Sequence, residues 1–498
     1  MNIFWYAQRM STPTFFWHDY ETWGTSPKWD RASQFAGLRT DWELNVIGKP
    51  LVMYCQPADD MLPHPEACLI TGITPQQARS EGLCEAEFFQ EVNKAFSQPG
   101  TCGVGYNSLR FDDEFTRYGF YRNFIDPYAR EWQNGNSRWD LIDVVRLTRA
   151  LRPEGIEWPE REPGVPSFRL EVLTEANGIS HESAHDALSD VYATIEMARL
   201  IKDKQPRLFE FCLNLRKKTE AAKHLNSIEQ KPVLHVSRMI PARLGCISPV
   251  LPLMPHPTNK NSVIVYDLRH NPEDLLQLDV DAIQQRLFVS SEDLPEGVER
   301  IALKEVHINK SPVLSPLNTL TDEAADEWQI DQVAMQSYAD MLRSSKALQN
   351  KIRAIFSQNH FQPETDPDAM LYDGFINNGD KKLCEQVLNT SVEELGSLSK
   401  AFQDSRLPEL LFRYRARNWP ASLTAQEKSR WQAFCRDRLN DVDGKTGINL
   451  KNYGQKLAQL AIDPDTSEHD KAIIDALLDW PALIQPGQPE HPVQETND

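Results

Sequence analysis

The chain has 498 residues, which allows about three domains of ordinary size and excludes a single small binding module. Hydrophobic residues make up 40% of the chain, charged residues make up 25%, and the mean hydropathy is −0.52. This composition is typical of a globular protein and excludes wholesale disorder. The net charge of −19 argues against a protein that coats DNA through bulk positive charge, so any nucleic-acid binding must be local.

The sequence also indicates where the protein works. No stretch approaches the ~18 uninterrupted apolar residues that a membrane span needs, so we expect no integral membrane protein. The N-terminal segment lacks the basic head, long apolar run and cleavage site of a secretory signal. The eight cysteines are too widely spaced for CxxC pairs or a disulfide framework. We therefore predict a cytoplasmic protein with reduced thiols.

The first part of the chain has the pattern of an α/β domain. Strand-like runs alternate with helical patterns, with strands at 14–20 and 100–106 and helices at 86–98, 110–121 and 186–202. We assign residues 1–205 to this domain.

The middle of the chain has a different residue pattern and net charge. A connecting helix is expected at 206–230, and the segment 231–315 then contains short β-rich runs cut by Pro, Gly and Asn: PVLHVSRM, NSVIVYDL, QRLFVS and RIALKEVHI. The net charge is near zero over 206–320, whereas both flanking parts are acidic. We predict an all-β module within 206–320.

The last part of the chain is predicted to be helical. Residues 321–484 show helical periodicity punctuated by Pro, Gly and Asp, and 485–498 have the composition of a disordered tail. Arg413 and Arg417 lie one helical turn apart in this part, and we expect them to anchor the helical domain through internal ion pairs.

The first candidate for chemistry is the run FFWHDYETWG. Asp19 and Glu21 lie two residues apart at the end of an apolar strand, so both carboxylates project from the same face of the sheet. Such a pair repels itself unless a cation neutralises it, and hard oxygen ligands favour Mg²⁺ or Mn²⁺ over zinc. Alone, a D-x-E pair is more often a solvated surface pair.

The second candidate is the run VGYNSLRFDDEF, in which a strand leads into a helix. Asp112 lies in the first turns of that helix, beside the core-facing Phe111 and Phe115, where it could reach a site at the sheet edge. We expect Asp113 and Glu114 to meet solvent. In isolation, acids at such positions usually only complement the helix dipole.

The third candidate is the helix within HESAHDALSDVYATIEMARLI. Asp190 lies at the edge of its buried stripe, and His185 precedes the helix. A histidine there is more often a loop residue, but beside a cluster of acids a neutral imidazole can take a proton from water near pH 7.

The three motifs in this order are far more specific than any one of them. Together they resemble the DEDDh exonuclease superfamily, whose RNase H-like sheet carries two metal ions. Longer segments resemble the bacterial exonuclease I family: HDYETWG, YNSLRFDDEFTRYGFYRNFIDPY and AHDALSDVYATI, with HINKSPVL and LLFRYRARNWP outside the nuclease domain. The resemblance covers roughly residues 14–480 and all three predicted domains.

The resemblance implies a 3′ to 5′ exonuclease that degrades single-stranded DNA to 5′-mononucleotides in DNA repair, acting as a monomer. It implies an SH3-like β-module and a helical domain that close around the strand. It also implies two Mg²⁺ ions, for which Mn²⁺ can substitute, and His185 as the general base. The implied metal ligands are Asp19, Glu21, Asp112 and Asp190.

Further residues match substrate-contacting positions. Arg169 matches an arginine of the family that contacts substrate, and Glu21 is expected to contact substrate as well as metal. Four candidates lie between the second and third motifs: Arg117, Tyr128, Trp132 and Arg146. Bases can stack on such aromatic rings at ~1 to 3 kcal/mol each. For Tyr128 and Trp132, core packing is an equal alternative.

The family also binds the acidic C-terminal tail of single-stranded DNA-binding protein through a basic ridge. Arg152, Lys231 and Arg343 match ridge positions, whereas Thr321 stands where the family often has Arg. That replacement removes one charge from the expected ridge.

Two other functions remain open on the residues alone. A 3′ to 5′ exoribonuclease could use the same catalytic domain, since neither the metals nor the histidine discriminate between sugars. A non-catalytic single-strand-binding repair scaffold would require a degenerate nuclease, but all five catalytic positions are present.

Overall fold

The computed structural model of the protein describes residues 12–181, 186–357, 363–442 and 446–484. The first domain is built on five strands: β1 (Thr14–Thr22), β2 (Ala32–Thr40), β3 (Val46–Tyr54), β4 (Thr101–Gly105) and β5 (Ser137–Asp140). Their order in the sheet is β3-β2-β1-β4-β5. β1, β2 and β3 pair antiparallel, whereas β4 and β5 run parallel to β1. Strand β1, whose side chains are mostly buried, therefore lies at the centre of the sheet.

Helices cover both faces of this sheet. They are α1 (Pro65–Thr71), α2 (Pro75–Glu81), α3 (Glu85–Phe96), α4 (Asp112–Arg122), α5 (Leu141–Leu151), α6 (Leu170–Ala176) and α7 (Ala187–Lys204), with a small hairpin of β6 (Glu160–Glu162) and β7 (Val165–Pro166). Side chains of β1 alternate between the two layers, because Phe15 and Trp17 pack with α5 and α7 whereas Phe16 and Tyr20 pack with α3 and α4. The α/β prediction is confirmed.

The predicted connecting helix is two helices. α8 (Pro206–Leu215) buries Phe209 and Cys212 in the core of the first domain, whereas α9 (Lys218–His224) buries Ala221 in the next core along the chain. The connection therefore contributes to both domains.

The middle domain is an antiparallel sheet in the order β11-β10-β9-β8-β12. Its strands are β8 (Val233–Val236), β9 (Ile247–Pro255), β10 (Ser262–Asp267), β11 (Leu303–His307) and β12 (Leu314–Pro316). Between β10 and β11 lie α10 (Glu273–Gln277) and α11 (Val280–Leu287). The strand expected at QRLFVS is wrong, since this run ends α11. Ile283 and Leu287, four residues apart, are buried on one helical face, and Asp279 caps the helix.

The described residues after 320 contain eight α-helices: α12 (Asp322–Glu327), α13 (Gln332–Ser344), α14 (Leu348–Phe356), α15 (Asn378–Asn389), α16 (Arg406–Asn418), α17 (Ala425–Leu439), α18 (Leu450–Ala461) and α19 (Glu468–Ile484). α13 and α14 share a core with the β-module, in which Met335 and Ile352 pack with Leu251 and Ile264. The predicted boundary at 320 thus separates these two helices from the module on which they pack. The predicted tail, 485–498, lies outside the described residues.

The later helices pack on the first domain through buried ion pairs. Arg417 donates from Nη2 to Asp60 at 2.8 Å and from Nη1 to Asp368 at 2.9 Å. Arg413 donates to Asp368 at 2.8 Å. The expectation that Arg413 and Arg417 anchor the helical domain is confirmed, and Arg417 reaches across to an acid of the first domain.

Two exclusions made from the sequence concern thiols and membranes. All eight cysteines are free, and every one except Cys84 is buried. Among the residues described above, no helix is both long enough and apolar enough to cross a bilayer.

Candidate active site

Two acids lie at the end of β1 on one face of the sheet. Trp17 is buried on the side of α7, and side chains alternate along a strand, so Asp19 and Glu21 project to that same side. Helix α7 lies against β1 there. The spacing of the two acids therefore aims both carboxylates at one helix.

Helix α7 supplies a third acid. The Asp186 side chain caps the helix by accepting a hydrogen bond from the Ser189 backbone N–H at 3.2 Å, which places Asp190 in the first turn. One carboxylate oxygen from each of Asp19, Glu21 and Asp190 lies within 4.8 Å of the other two. Three acids from two elements thus converge on one point.

The fourth acid stands beside this group at the start of α4. Asp112 is buried and accepts a hydrogen bond from the Tyr20 backbone N–H at 3.0 Å. This bond holds Asp112 against β1 at the residue between Asp19 and Glu21. The turn before α4 needs Asn107 in the left-handed region, with φ 64°. The buried Asp140 carboxylate holds that turn by accepting from the Asn107 backbone N–H at 2.8 Å.

The acids repel one another. Burial raises the pKa of Asp19 well above its usual range, and Asp112, Glu21 and Asp190 raise it further. Burial and the charges of Asp190 and Asp112 raise the pKa of Glu21 to about 9. In the described part of the chain, no Lys or Arg forms an ion pair with Asp19, Glu21 or Asp112. A set of hard oxygen donors without a compensating cation fits a divalent ion.

The neighbouring acid Asp113 behaves differently, and the expectation that it meets solvent is wrong. It is buried between Arg130, whose Nη2 donates at 2.5 Å, and Arg138, whose Nη1 donates at 2.7 Å. Burial alone would raise the pKa of Asp113, but the two guanidinium groups outweigh it and hold the pKa well below its usual range. The partners come from distant parts of the chain, so the spacing around Asp113 carries no signal of them.

A histidine meets the acids at a position that sequence analysis missed. His185 lies outside the described residues. The His181 side chain is nearly inaccessible, with its Nε2 2.5 Å from Asp190 Oδ1 and its Nδ1 3.1 Å from the Thr174 hydroxyl. The available signal was weak, since it consisted of one more histidine four residues before His185.

Three of the predicted substrate residues lie together. Arg117 is buried and pairs with Glu131 at 2.7 Å, and its guanidinium lies 5.4 Å from the centre of the Tyr128 ring. Tyr128 is half-buried against Phe375, with the ring centres 6.2 Å apart. Trp132 is 65% exposed. Core packing therefore explains in part why Tyr128 is an aromatic residue. It does not explain Trp132, whose side chain is exposed.

The other two predicted substrate residues differ in accessibility. Arg146 pairs with Asp143 at 2.5 Å and lies over the Phe168 ring. Arg169 precedes α6, and its side chain is 71% exposed and pairs with Glu171 at 2.5 Å. Of the two, the Arg169 guanidinium is the one open to a ligand.

The predicted ridge residues are surface cations on two domains. Arg343 donates to the Gln230 carbonyl at 2.7 Å, which places it next to Lys231. Arg152 donates to a carbonyl just before α12 at 3.2 Å. Thr321, where the family often has Arg, caps α12. The helix cap gives this threonine a structural role of its own.

Family models match consecutive parts of the chain. An exonuclease model matches residues 16–198. A model of the exonuclease I SH3-like domain matches residues 216–358, and a model of the exonuclease I C-terminal domain matches residues 365–484. The SH3-like model thus spans both the β-module and the two helices that pack on it.

Curated relatives match along nearly the whole chain. Exodeoxyribonuclease I of Escherichia coli is 50% identical over 455 residues, which cover 90% of this chain and 96% of the relative. Exodeoxyribonuclease I of Haemophilus influenzae is 44% identical over 448 residues, which cover 90% of this chain and 94% of the relative.

Solved structures match the fold equally well. An exonuclease I structure from Methylocaldum szegediense gives a TM-score of 0.91 at 49% identity and covers 95% of this chain and 100% of that chain. E. coli exonuclease I in complex with a dA16 oligonucleotide gives 0.90 at 46% identity, with the same coverage. A zinc-bound form of the E. coli complex with single-stranded DNA also matches. By sequence and by fold, this chain belongs to the exonuclease I family and is an exonuclease that acts on single-stranded DNA.

Proposed function

We propose that the protein hydrolyses single-stranded DNA from the 3′ end to 5′-mononucleotides, and that Asp19, Glu21, Asp112 and Asp190 hold two Mg²⁺ ions for this reaction. The observation that carries the proposal is the meeting of three carboxylates within 4.8 Å, with no Lys or Arg paired to Asp19 or Glu21 among the described residues. When bound, such ions activate a water molecule and offset the charge of the phosphate.

In this proposal the chain's own residues have separate tasks. Asp19 would be the acid shared by both ions, since the charges of Asp112, Glu21 and Asp190 all act on it. Asp112 keeps its orientation through the hydrogen bond from the Tyr20 N–H. His185, which the family pattern marks as the general base, takes the proton of the attacking water.

We propose that the DNA strand contacts Trp132, Tyr128 and Arg169 on its way to the acids. An exposed indole offers a face on which a base can stack, and an exposed guanidinium can bind a phosphate through two hydrogen bonds. Arg169 is also paired with an acid, Glu171, but its side chain is 71% exposed. The Arg117 and Arg146 side chains are largely buried in their pairs with acids, so their part is to add positive charge and hold the aromatic rings in place.

We further propose a repair role as a cytoplasmic monomer that docks the acidic tail of single-stranded DNA-binding protein. Arg343 lies near Lys231 because it donates a hydrogen bond to the carbonyl of the preceding residue, Gln230. Arg152 lies near the start of α12. These cations would pair with tail carboxylates at low ionic strength. Because Thr321 adds no charge, we expect the contact to weaken steeply with salt.

The function is tested with single-stranded oligonucleotides labelled at the 5′ end. We expect a ladder of labelled products that shortens stepwise in Mg²⁺, release of 5′-mononucleotides, and no reaction in EDTA. An RNA oligonucleotide of the same sequence is expected to be degraded far more slowly. Early appearance of labelled mononucleotide would show attack from the 5′ end, and equal rates on RNA would show an exoribonuclease. Either result would overturn the proposal.

A further inference from the structure

His181 joins the active site to the helix behind it. Its side chain is only 5% exposed, and both ring nitrogens are engaged, Nε2 with Asp190 and Nδ1 with Thr174. Thr174 is fully buried on α6, where its hydroxyl oxygen also lies 2.9 Å from the Leu170 carbonyl oxygen. The imidazole therefore contacts the buried Thr174 hydroxyl on one side and the Asp190 carboxylate on the other.

The chemistry of the contact assigns the proton. A carboxylate only accepts hydrogen bonds, so Nε2 carries the hydrogen and donates to Asp190 Oδ1. Asp190 then has one oxygen held in place, and its carboxylate contributes an oxygen that lies within 4.8 Å of those of Asp19 and Glu21. Groups that hold a metal ligand in this way fix its direction and are typically worth 10- to 100-fold in metal affinity or activity.

We propose that His181 is a positioning residue that orients Asp190 toward the metal and so sets the metal affinity of the site. It is not the base, because a nitrogen that donates to Asp190 has no lone pair to offer to a water molecule. The inference rests on the proposed metal-dependent function and adds to it a residue that the D-x-E, Asp and H-x₄-D pattern does not contain.

The direct test measures Mn²⁺ binding to the full-length protein by electron paramagnetic resonance, without DNA. We expect His181→Ala to weaken Mn²⁺ binding by about 10-fold or more. His181→Gln should recover part of the loss, since its amide N–H can donate in the same direction. The matched control is His256→Ala, which removes a histidine 3.7 Å from Glu305 in the β-module and should bind Mn²⁺ as the wild type does. Unchanged affinity in His181→Ala would overturn the inference.

Thr174→Val keeps the test decisive if His181→Ala does not fold. It removes the hydroxyl that holds Nδ1 but retains the imidazole and the packing volume. We expect a smaller loss of Mn²⁺ affinity than in His181→Ala, and no additional loss when the two substitutions are combined. Wild-type Mn²⁺ affinity in a folded Thr174→Val variant would contradict the positioning role.

Activity separates positioning from proton transfer. We expect His181→Ala to need about 10-fold more Mg²⁺ for half-maximal rate and to approach the wild-type rate at saturating Mg²⁺. His185→Ala should instead stay slow at every Mg²⁺ concentration. A rate in His181→Ala that saturating Mg²⁺ does not restore, together with normal Mn²⁺ binding, would assign His181 to catalysis and overturn the inference. A wild-type protein that fails to degrade DNA would instead refute the proposed function.

Discussion

Two clusters of acids in the described structure have opposite electrostatic surroundings. The active-site acids are Asp19, Glu21, Asp112 and Asp190, and the junction acids are Asp60 and Asp368, which lie where the later helices meet the first domain. Burial raises the pKa of Asp19 and Glu21, and their neighbours raise it further. In the junction acids, the arginines reverse that effect.

The negative charges of the junction acids are balanced by nearby arginine side chains. Asp60 is fully buried and lies 2.8 Å from Arg417, 3.5 Å from Arg31 and 3.4 Å from Arg438. Burial alone would raise the pKa of Asp60, but these three guanidinium groups hold it well below its usual range. Asp368 has the same surroundings on the other side of Arg417.

The comparison teaches that a buried carboxylate is not by itself a functional signal. Within the described parts of the chain, Asp19, Glu21 and Asp112 differ from the junction acids in having no paired guanidinium, which leaves their charge to be balanced by a cation. Removing one acid should therefore reduce the repulsion among the active-site acids, whereas at the junction it should lower the free energy of unfolding. The following experiments test this contrast, beginning with the largest expected effect.

Asp19→Asn removes an active-site acid without changing its size. We expect turnover to fall by at least about 10³-fold, because the remaining acids cannot hold both ions. In EDTA, thermal unfolding should occur at the wild-type temperature or above it, since one repulsive charge is gone. Oligonucleotide degradation and scanning calorimetry measure the two effects. A folded variant with wild-type turnover in Mg²⁺ would contradict the assignment of Asp19.

His185→Ala tests whether the acids suffice once the metal is bound. We expect turnover to fall by about 10²- to 10⁴-fold while the affinity for single-stranded DNA and for Mn²⁺ stays near that of the wild type. Single-turnover kinetics and fluorescence anisotropy provide the measurements. Near-normal turnover at pH 7 would remove His185 from the mechanism.

Asp368→Asn removes a junction acid. We expect the free energy of unfolding to fall by about 3 to 5 kcal/mol, because Arg413, Arg417 and Arg438 lose a buried partner. Urea denaturation measures the loss, and Asp465→Asn, at an exposed surface acid, is the control. Mn²⁺ affinity should stay unchanged in the folded protein. Stability equal to that of the control would show that the junction pairs contribute nothing net.

In EDTA, the free energy of unfolding should decrease as the pH rises, because of the raised pKa of Glu21 in the active site. Folded Glu21 keeps its proton up to a pKa of about 9, whereas the unfolded chain releases it near 4.5. The folded state therefore binds more protons between these values, and this contribution to stability is lost as the pH rises. Glu21→Gln should show a shallower decline than the wild type, and Mg²⁺ should flatten the wild-type curve. Equal slopes with and without Glu21 would contradict the raised pKa.

Much of the fold and the site followed from local patterns. The alternation along β1 was enough to place Asp19 and Glu21 on one face, and helix periodicity was enough to place Asp190 at the start of α7. The resemblance of motifs led to the family and to all three kinds of domain. These are features that depend on neighbours within a few residues.

The remaining features depend on partners that lie outside the same helix or strand. Asp113 is buried because Arg130 and Arg138 lie across from it, and His181 reaches Asp190 only after a turn at the end of α6. α13 and α14 look like any amphipathic helices, and only tertiary packing reveals that they cover the β-module. Local periodicity carries no information about which surface a helix will meet.

The central claim is that the active-site acids hold the divalent cation and the junction acids do not. Anomalous diffraction from crystals grown with Mn²⁺ tests it most directly. We expect a peak in contact with the carboxylate oxygens of Asp19, Glu21 and Asp190, and none beside Asp60 or Asp368. A structure of the Mn²⁺-saturated, active protein without a peak at the three acids would contradict the account.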